Sequence, residues 1–313
     1  MQEGIGDSRL ACLRQRAALN ARIRAFFQPR NVLEVETPLL GATSATDLHL
    51  EPVQVQQVLT NDEVPRYLQT SPEFAMKKLL AMGSGCIFQL GKAFRFDEFS
   101  NRHRPEFTLL EWYRIGFDEH QLMDEVQELI HATIGIADLE RYSYRQLFRQ
   151  FLDLDPHTCS LAQLQRVATA HVELSDGEFS RDDLLYLLMS HCVEPAMPRN
   201  CFVFDYPTSQ ASLAVTEEDE TGVAVARRFE LYLHGVEIAN GYRELLDPAE
   251  LSRRFESDLA ARRASNRWLL PVDEALLAAH EAGIPPCAGV ALGVDRLLMV
   301  IMGAESIGDV LVE

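Results

Sequence analysis

The sequence predicts an α+β fold, an antiparallel sheet flanked by helices, and three features carry that expectation. Two long strand-like runs, 86–96 (C-I-F-Q-L-G-K-A-F-R-F) and 106–115 (E-F-T-L-L-E-W-Y-R-I), are joined only by a polar loop. A third run, F-E-L-Y-L-H-G-V-E-I-A-N-G-Y, folds back at His234-Gly235 as a hairpin. Helical patterns cluster between these strand pairs, so strands and helices are segregated along the chain.

In chain order, Ser8 is placed to cap a first helix. Leu10, Leu13, Ala17, Ala21, Arg24 and Phe27 follow at three- and four-residue steps, and Pro29 stops it. V-L-E-V-E-T-P-L-L, from Val32 through Pro38, reads as extended. Ser71-Pro72-Glu73 opens a second helix reaching about Met82, with Pro72 in its first turn. After the two long strands, 118–200 reads as a helical insertion without evident chemistry. A strand resumes at Cys201, the hairpin follows, and a charged helix covers 248 to about 268. The chain closes on G-V-A-L-G-V-D-R-L-L-M-V-I-M, a glycine-containing strand running into a helix. No internal repeat interrupts this order, and residues 1–313 are expected to form one domain.

Composition narrows the function classes. A hydrophobic fraction of 47% and a charged fraction of 24% are those of an ordinary globular chain. No apolar run approaches the roughly 18 residues of a membrane span, and the N-terminus lacks the pattern of a secretory leader, so a cytoplasmic location without a membrane partner is expected. The six cysteines form no C-x-x-C pair and read as buried or idle thiols, and no histidine spacing suggests zinc. A net charge of −18 disfavours broad nucleic-acid binding. The basic residues are nearly all arginine; lysine occurs only at Lys77, Lys78 and Lys92. Gly85 to Gly91-Lys92 imitates a phosphate loop, but its spacer is five residues long and Ala93 replaces the hydroxyl residue.

Strand parity groups the chemistry-bearing residues. Side chains two apart share a face, so Phe107, Leu109, Glu111 and Tyr113 point one way and Glu106, Thr108, Leu110 and Trp112 the other. A carboxylate on an apolar face needs a cation or donors, supplied either by a structural salt bridge or by a ligand. Arg95 and Asp97 share a face on the preceding run, beside Phe107 if the two strands pair. In the hairpin, Tyr232 faces Glu237, which makes Glu230 and Glu237 diagonal neighbours. They fit either a solvated face or a Mg²⁺ ion whose shell phosphate oxygens complete. Glu244 reads locally as an exposed carboxylate. Arg296, at a strand-to-helix junction beside Gly293, suits either a phosphate or a surface ion pair.

Taken together and in order, these segments resemble the three signature motifs of class II aminoacyl-tRNA synthetases. The first helix with V-L-E-V-E-T-P resembles motif 1, with its proline at Pro38; F-R-F-D through R-H-R-P-E-F-T-L-L-E-W-Y resembles motif 2; and G-V-A-L-G-V-D-R-L resembles motif 3. R-H-x-P-E-F-T, E-L-Y-L-x-G-x-E-I-A-N-G and the following Glu244 are similar to the lysyl branch. The resemblance implies a class II catalytic core that binds ATP and Mg²⁺. In it Arg95 would bind the α-phosphate, Arg102 and His103 the distal phosphates, and Phe107 the adenine, with Arg296 on its other face or at the γ-phosphate. Asp97, Arg104, Ile238 and Gly293 would border the nucleotide, and Glu230 and Glu237 would hold the Mg²⁺. Glu111, Tyr113 and Glu244 would take the side-chain ammonium of a lysine-like amino acid, Ser71 and Glu73 its other amino group, and Asn240 and Ala291 would line the same pocket.

Little precedes the motif 1 helix, so no anticodon-binding barrel is expected. The chain is therefore most similar to the synthetase paralogues that attach (R)-β-lysine to elongation factor P. That similarity implies (R)-β-lysine or L-lysine as substrate, elongation factor P as acceptor, no stable tRNA partner, and a homodimer built through motif 1. Ala291, where lysyl-tRNA synthetases usually carry glycine, is expected to reshape the amino-acid pocket. A minimal tRNA-charging or amide-forming enzyme is the alternative within the class. A silent regulatory paralogue would be expected to lack motif residues, but Arg95, Arg296, Glu230 and Glu237 are all present. Two departures touch the nucleotide site: Arg104 and Phe96 stand where the family commonly has asparagine.

Overall fold

The computed structural model of the chain describes residues 2–48, 50–55, 65–96, 98–174 and 177–311. Helix α1 (Gln2–Phe27) leads to β1 (Leu33–Glu34), β2 (Leu40–Gly41), β3 (Gln54–Val55), β4 (Arg66–Leu68) and α2 (Glu73–Ala81). Strands β5 (Ile87–Phe94) and β6 (Glu106–Ile115) follow, then α3 (Glu119–Ile134), β7 (Glu140–Ser143), α4 (Tyr144–Leu152), α5 (Leu161–His171) and α6 (Arg181–Leu188). The remainder is β8 (Cys201–Tyr206), β9 (Thr216–Glu218), β10 (Ala224–Leu233), β11 (Val236–Arg243), α7 (Pro248–Ala264), α8 (Glu274–Ala282), β12 (Cys287–Gly293) and α9 (Val294–Met302).

Among the described residues the main sheet has nine strands in the order β1-β5-β6-β12-β11-β10-β8-β7, with β9 beside β10. Its interior is antiparallel, and β1 and β7 pair parallel with β5 and β8 near the two edges. The expected α+β architecture is the observed one. Strands β2, β4 and β3 form a small second sheet that no sequence pattern announced, because pairs of two or three residues have no readable period.

Parity divides the main sheet into a structural back and a working front. Leu110 and Trp112 of β6, Phe229, Leu231 and Leu233 of β10, and Ala288, Val290 and Leu292 of β12 bury against α1, α3 and α9 as one apolar core. The alternate residues, among them Phe107, Glu111, Tyr113, Glu230, Tyr232, Gly289 and Ala291, border a cavity on the other side. The hairpin turns where expected: His234 and Gly235 take φ of 52° and 76°, the left-handed pair that a two-residue turn needs. Tyr232 pairs with Glu237 and Leu231 with Ala239, so Ile238 is the extra residue of a bulge. The bulge shifts parity by one, which brings Glu237 and Asn240, three positions apart, onto the front face opposite Tyr232 and Glu230.

Two expectations are corrected. Helix α1 already runs from Gln2, so position 8 lies within it and is not its start. Its buried side is Cys12, Leu19, Ile23, Phe26 and Phe27, whereas Leu10 and Leu13 are 51% and 45% exposed. Both stripes have helical spacing; only the packing partner chooses between them. The stretch 118–200 is also not one helical layer. Helix α3 belongs to the back-face core, and β7 joins the sheet edge. Helices α4 to α6 bury a second core, including Tyr144, Phe148, Leu184 and Leu188, against β8. Asp118, Ser143, Ser160 and Ser180 start α3 to α6 as capping boxes, which fixes these helix boundaries locally.

Candidate active site

One cavity of about 1630 Å³ opens on the front face. Ser71, Glu73, Arg95, Arg102, His103, Arg104, Phe107, Glu111, Tyr113, Glu230, Glu237, Ile238, Asn240, Glu244, Ala291, Gly293 and Arg296 all border it. Of the residues singled out from the sequence, only Asp97 lies outside the described residues.

At one end the cavity is acidic and closed. Glu111 and Tyr113 are 3% and 2% exposed, and the Tyr113 hydroxyl donates to Glu111 Oε1 at 2.8 Å. Glu244 is 3% exposed, which corrects the local reading of a solvated carboxylate. Its backbone N–H donates to the Cys287 carbonyl, and this anchor at the end of β11 turns the side chain inward. Glu73 begins α2, where its backbone N–H donates to Ser71 Oγ at 3.2 Å and its Oε1 accepts from the Tyr242 hydroxyl at 2.5 Å.

Lys77, which the sequence reading passed over, sits 2.6 Å from Glu244 Oε2 and 2.7 Å from Glu73 Oε1. Its signal was the four-residue step from Glu73 on one helix face. Three carboxyl groups (Glu73, Glu111, Glu244) surround this one ammonium, two more acidic groups than resident cations. Glu111 Oε2 and Glu244 Oε1 are buried without a hydrogen-bond partner among the described residues. Burial, with the nearby Glu73 charge, pushes the Glu111 carboxyl up to about 8; burial pushes Glu244 up to about 8 against the pull of Lys77. The pocket is therefore built to take up cations.

The floor of this end is glycine. A Cβ on Gly289 would stand 2.4 Å from both Glu244 Oε1 and Tyr113 Cε1, so no other residue fits there without moving the carboxylate. Ala291, between Glu111 and Asn240 in the strand ladder, contributes one methyl beside them.

The other end is rich in arginine. Arg95 follows β5 and lies over the Phe107 ring at 5.0 Å while pairing with Glu98 at 3.2 Å. Arg296, in the first turn of α9, donates from Nη1 to the Glu237 carbonyl at 2.9 Å and pairs with Glu237 Oε2 at 3.2 Å. Its Nη2 meets His103 Nε2, whose other nitrogen lies 2.8 Å from Ser100 Oγ. Burial and the Arg296 charge lower the His103 pKa, so the ring is neutral and accepts from the guanidinium. Asp295 fixes this helix start by accepting from the Thr108 N–H at 2.6 Å and pairing with Arg16 at 2.6 Å.

Arg104 braces its own loop: Nη1 donates to the Ser100 and His103 carbonyls, and the guanidinium lies over Phe99 at 4.4 Å. Phe96 is 57% exposed and does not border the cavity. Ile238 packs its side chain into the back-face core. Gly91 and Lys92 lie inside β5, so the imitation phosphate loop is a strand.

Glu230 and Glu237 are diagonal neighbours beside the bulge, opposite Asn240 and Tyr232. Arg228 Nη2 reaches Glu230 Oε1 at 2.5 Å, and the Tyr232 hydroxyl donates to Oε2 at 2.7 Å. Among the described residues no group of three or more His, Cys, Asp or Glu is arranged to hold a metal by itself. A magnesium ion does not need one, because one or two carboxylates with phosphate and water oxygens complete its shell. The hard oxygen donors present fit that ion. Glu194, absent from the sequence reading, accepts from the Tyr232 hydroxyl at 3.3 Å and borders the same end; burial and the Glu230 charge raise its pKa.

The family model described as tRNA synthetases class II (D, K and N) matches residues 6–312, and the chain belongs to that family. Within it, the chain is 47% identical over 309 residues to the elongation factor P–(R)-β-lysine ligase of Yersinia enterocolitica, covering 96% of this chain and 94% of the relative. Relatives of the same name from Pseudoalteromonas translucida and Vibrio vulnificus are 47% and 48% identical, with at least 95% of this chain and 94% of theirs aligned. The chain is thus a class II synthetase-like, ATP-dependent ligase. No helix among the described residues is long and apolar enough to cross a membrane.

Proposed function

We propose that this protein activates (R)-β-lysine, or lysine, as an acyl-adenylate and transfers it to the ε-amino group of a lysine of elongation factor P. The observation that carries the reading is the polarity of this cavity: three carboxyl groups around one buried ammonium at one end and a cluster of arginines at the other. A diamino acid has two ammonium groups for the first, and a nucleoside triphosphate has the charge for the second. Relatives of that name align with nearly the whole chain.

In the first step a substrate carboxylate oxygen attacks the α-phosphorus of ATP in line, and the bond to pyrophosphate breaks. Arg95 and Arg296 offset the charge that grows on the phosphate oxygens, while Glu111, Glu244 and Glu73 hold the ammonium groups so that the carboxylate points toward the nucleotide. Glu230 and Glu237 would hold Mg²⁺, which supplies further positive charge to the phosphates. In the second step the deprotonated acceptor amine attacks the adenylate carbonyl, AMP leaves and an amide forms. The protein supplies positioning and electrostatics, with no covalent nucleophile of its own. The methyl of Ala291 tunes the choice between α- and β-amino substrates, by about 1–3 kcal/mol for one methyl group.

Pyrophosphate exchange with (R)-β-lysine and with L-lysine, followed by transfer to elongation factor P or to tRNA, tests the reading. Labelling of the factor and preference for the β-amino substrate are expected. Efficient tRNA charging with no labelled factor would overturn it.

A further inference from the structure

Lys77 is 1% exposed, the most deeply buried cation at the amino-acid end, and the mechanism above assigns it no contact with substrate. The titratable groups around it come from every neighbouring element: Glu73 on α2, Glu111 and Tyr113 on β6, Tyr242 on β11 with Glu244 just beyond it, His280 on α8 and Cys287 on β12. Its Nζ donates to Glu73 Oε1 at 2.7 Å and forms an ion pair with Glu244 Oε2 at 2.6 Å, and the ammonium lies 5.6 Å from the centre of the Tyr242 ring.

We infer that Lys77 is a positioning and specificity-determining residue: a resident ammonium that holds Glu244 Oε2 and Glu73 Oε1, turns Glu244 Oε1 toward the cavity, and sets the pocket's residual charge to match a substrate with two ammonium groups. The inference rests on the ligase reading and names what makes its amino-acid end selective. Geometry carries it. Glu244 has one oxygen on Lys77 and the other unpartnered beside Gly289, where a Cβ would strike it. Removing the ammonium would set three carboxylates against one another, so a proton would have to replace it, and Glu244 would be free to turn. Lysine suits the position better than arginine, because a compact three-donor head fits between two carboxylates of different elements, whereas a planar fork favours one.

The alternative is a cross-link between α2 and the end of β11 with no say in substrate choice. The full-length variants Lys77→Gln, Lys77→Met and Lys77→Arg separate the two in pyrophosphate exchange, with lysine or β-lysine measured against norleucine, which has lysine's length and a single ammonium. The ATP KM, expected within about twofold of wild type, serves as the folding control. In Lys77→Gln and Lys77→Met the amino-acid KM rises about a hundredfold, the preference for the diamino acid over norleucine falls by at least about tenfold, and the pH at which the amino-acid KM improves moves upward. Lys77→Arg, which keeps the charge, retains more of the preference than Lys77→Gln.

Variants with a normal ATP KM and an unchanged pH profile and preference would overturn the inference alone. Equal preference in Lys77→Arg and Lys77→Gln would do the same if Lys77→Met fails to fold. A wild-type protein that exchanges with no diamino acid would remove the ligase reading as well.

Discussion

Glu111 and Glu244 hold their protons against a neutral solvent because they are buried, and the consequence has a definite sign. Their folded-state pKa values, about 8, lie above the ordinary carboxyl range. Their contribution to stability in the ligand-free protein is therefore full below the unfolded pKa and lost as pH rises through about 8. Binding of a diammonium substrate runs the other way: it favours the ionised carboxylates, so affinity should improve as pH rises through about 8, with protons released on binding. Calorimetry of lysine binding in two buffers of different ionisation enthalpy measures that release, and identical heats would count against it. At this scale the sequence was informative where a local rule applied. Parity on β6 put Glu111 beside Tyr113, but nothing local distinguished Glu244 from a solvated acid. Its burial depends on Cys287, Lys77 and Gly289, all distant in the chain.

At the scale of elements, β12 joins the two halves of the site through its small front-face residues. Gly289→Ala would force Glu244 and Tyr113 aside, a strain of about 1–3 kcal/mol concentrated on the amino-acid pocket. The amino-acid KM should rise roughly ten- to hundredfold at that strain, with the ATP KM unchanged. Steady-state kinetics of the single variant decide it, and an equal change in both constants would place the damage in the strand as a whole. The hairpin was readable because its turn is chemically local, whereas its bulge was not. Ile238 alternates with neither neighbour pattern, and only the pairing with β10 fixes which residue is extra. Strand β7 escaped notice for the same reason, since E-R-Y-S becomes a strand through its parallel contact with β8.

For the molecule as a whole, the outward stripe of α1 matters most. Leu10 and Leu13, with Leu33 on β1 at 56% exposure, turn away from the protein's own core. The sequence reading found the periodic stripe and could not say which partner it meets. A second copy of the chain across this surface is the expected occupant, giving a particle of about twice 35.3 kDa by light scattering. Leu13→Glu should return it to the single-chain mass; a wild-type protein already at that mass would contradict the dimer.

The excess of carboxyl groups over resident cations in the amino-acid pocket also bears on fidelity. An uncharged side chain of lysine's length would leave buried carboxylates without partners, and sites built around such groups reject the wrong ligand by about 10⁴-fold or more. Accuracy would then be decided when the amino acid first enters, before ATP is consumed, and such a pocket has no need of a second, hydrolytic site to proofread its product.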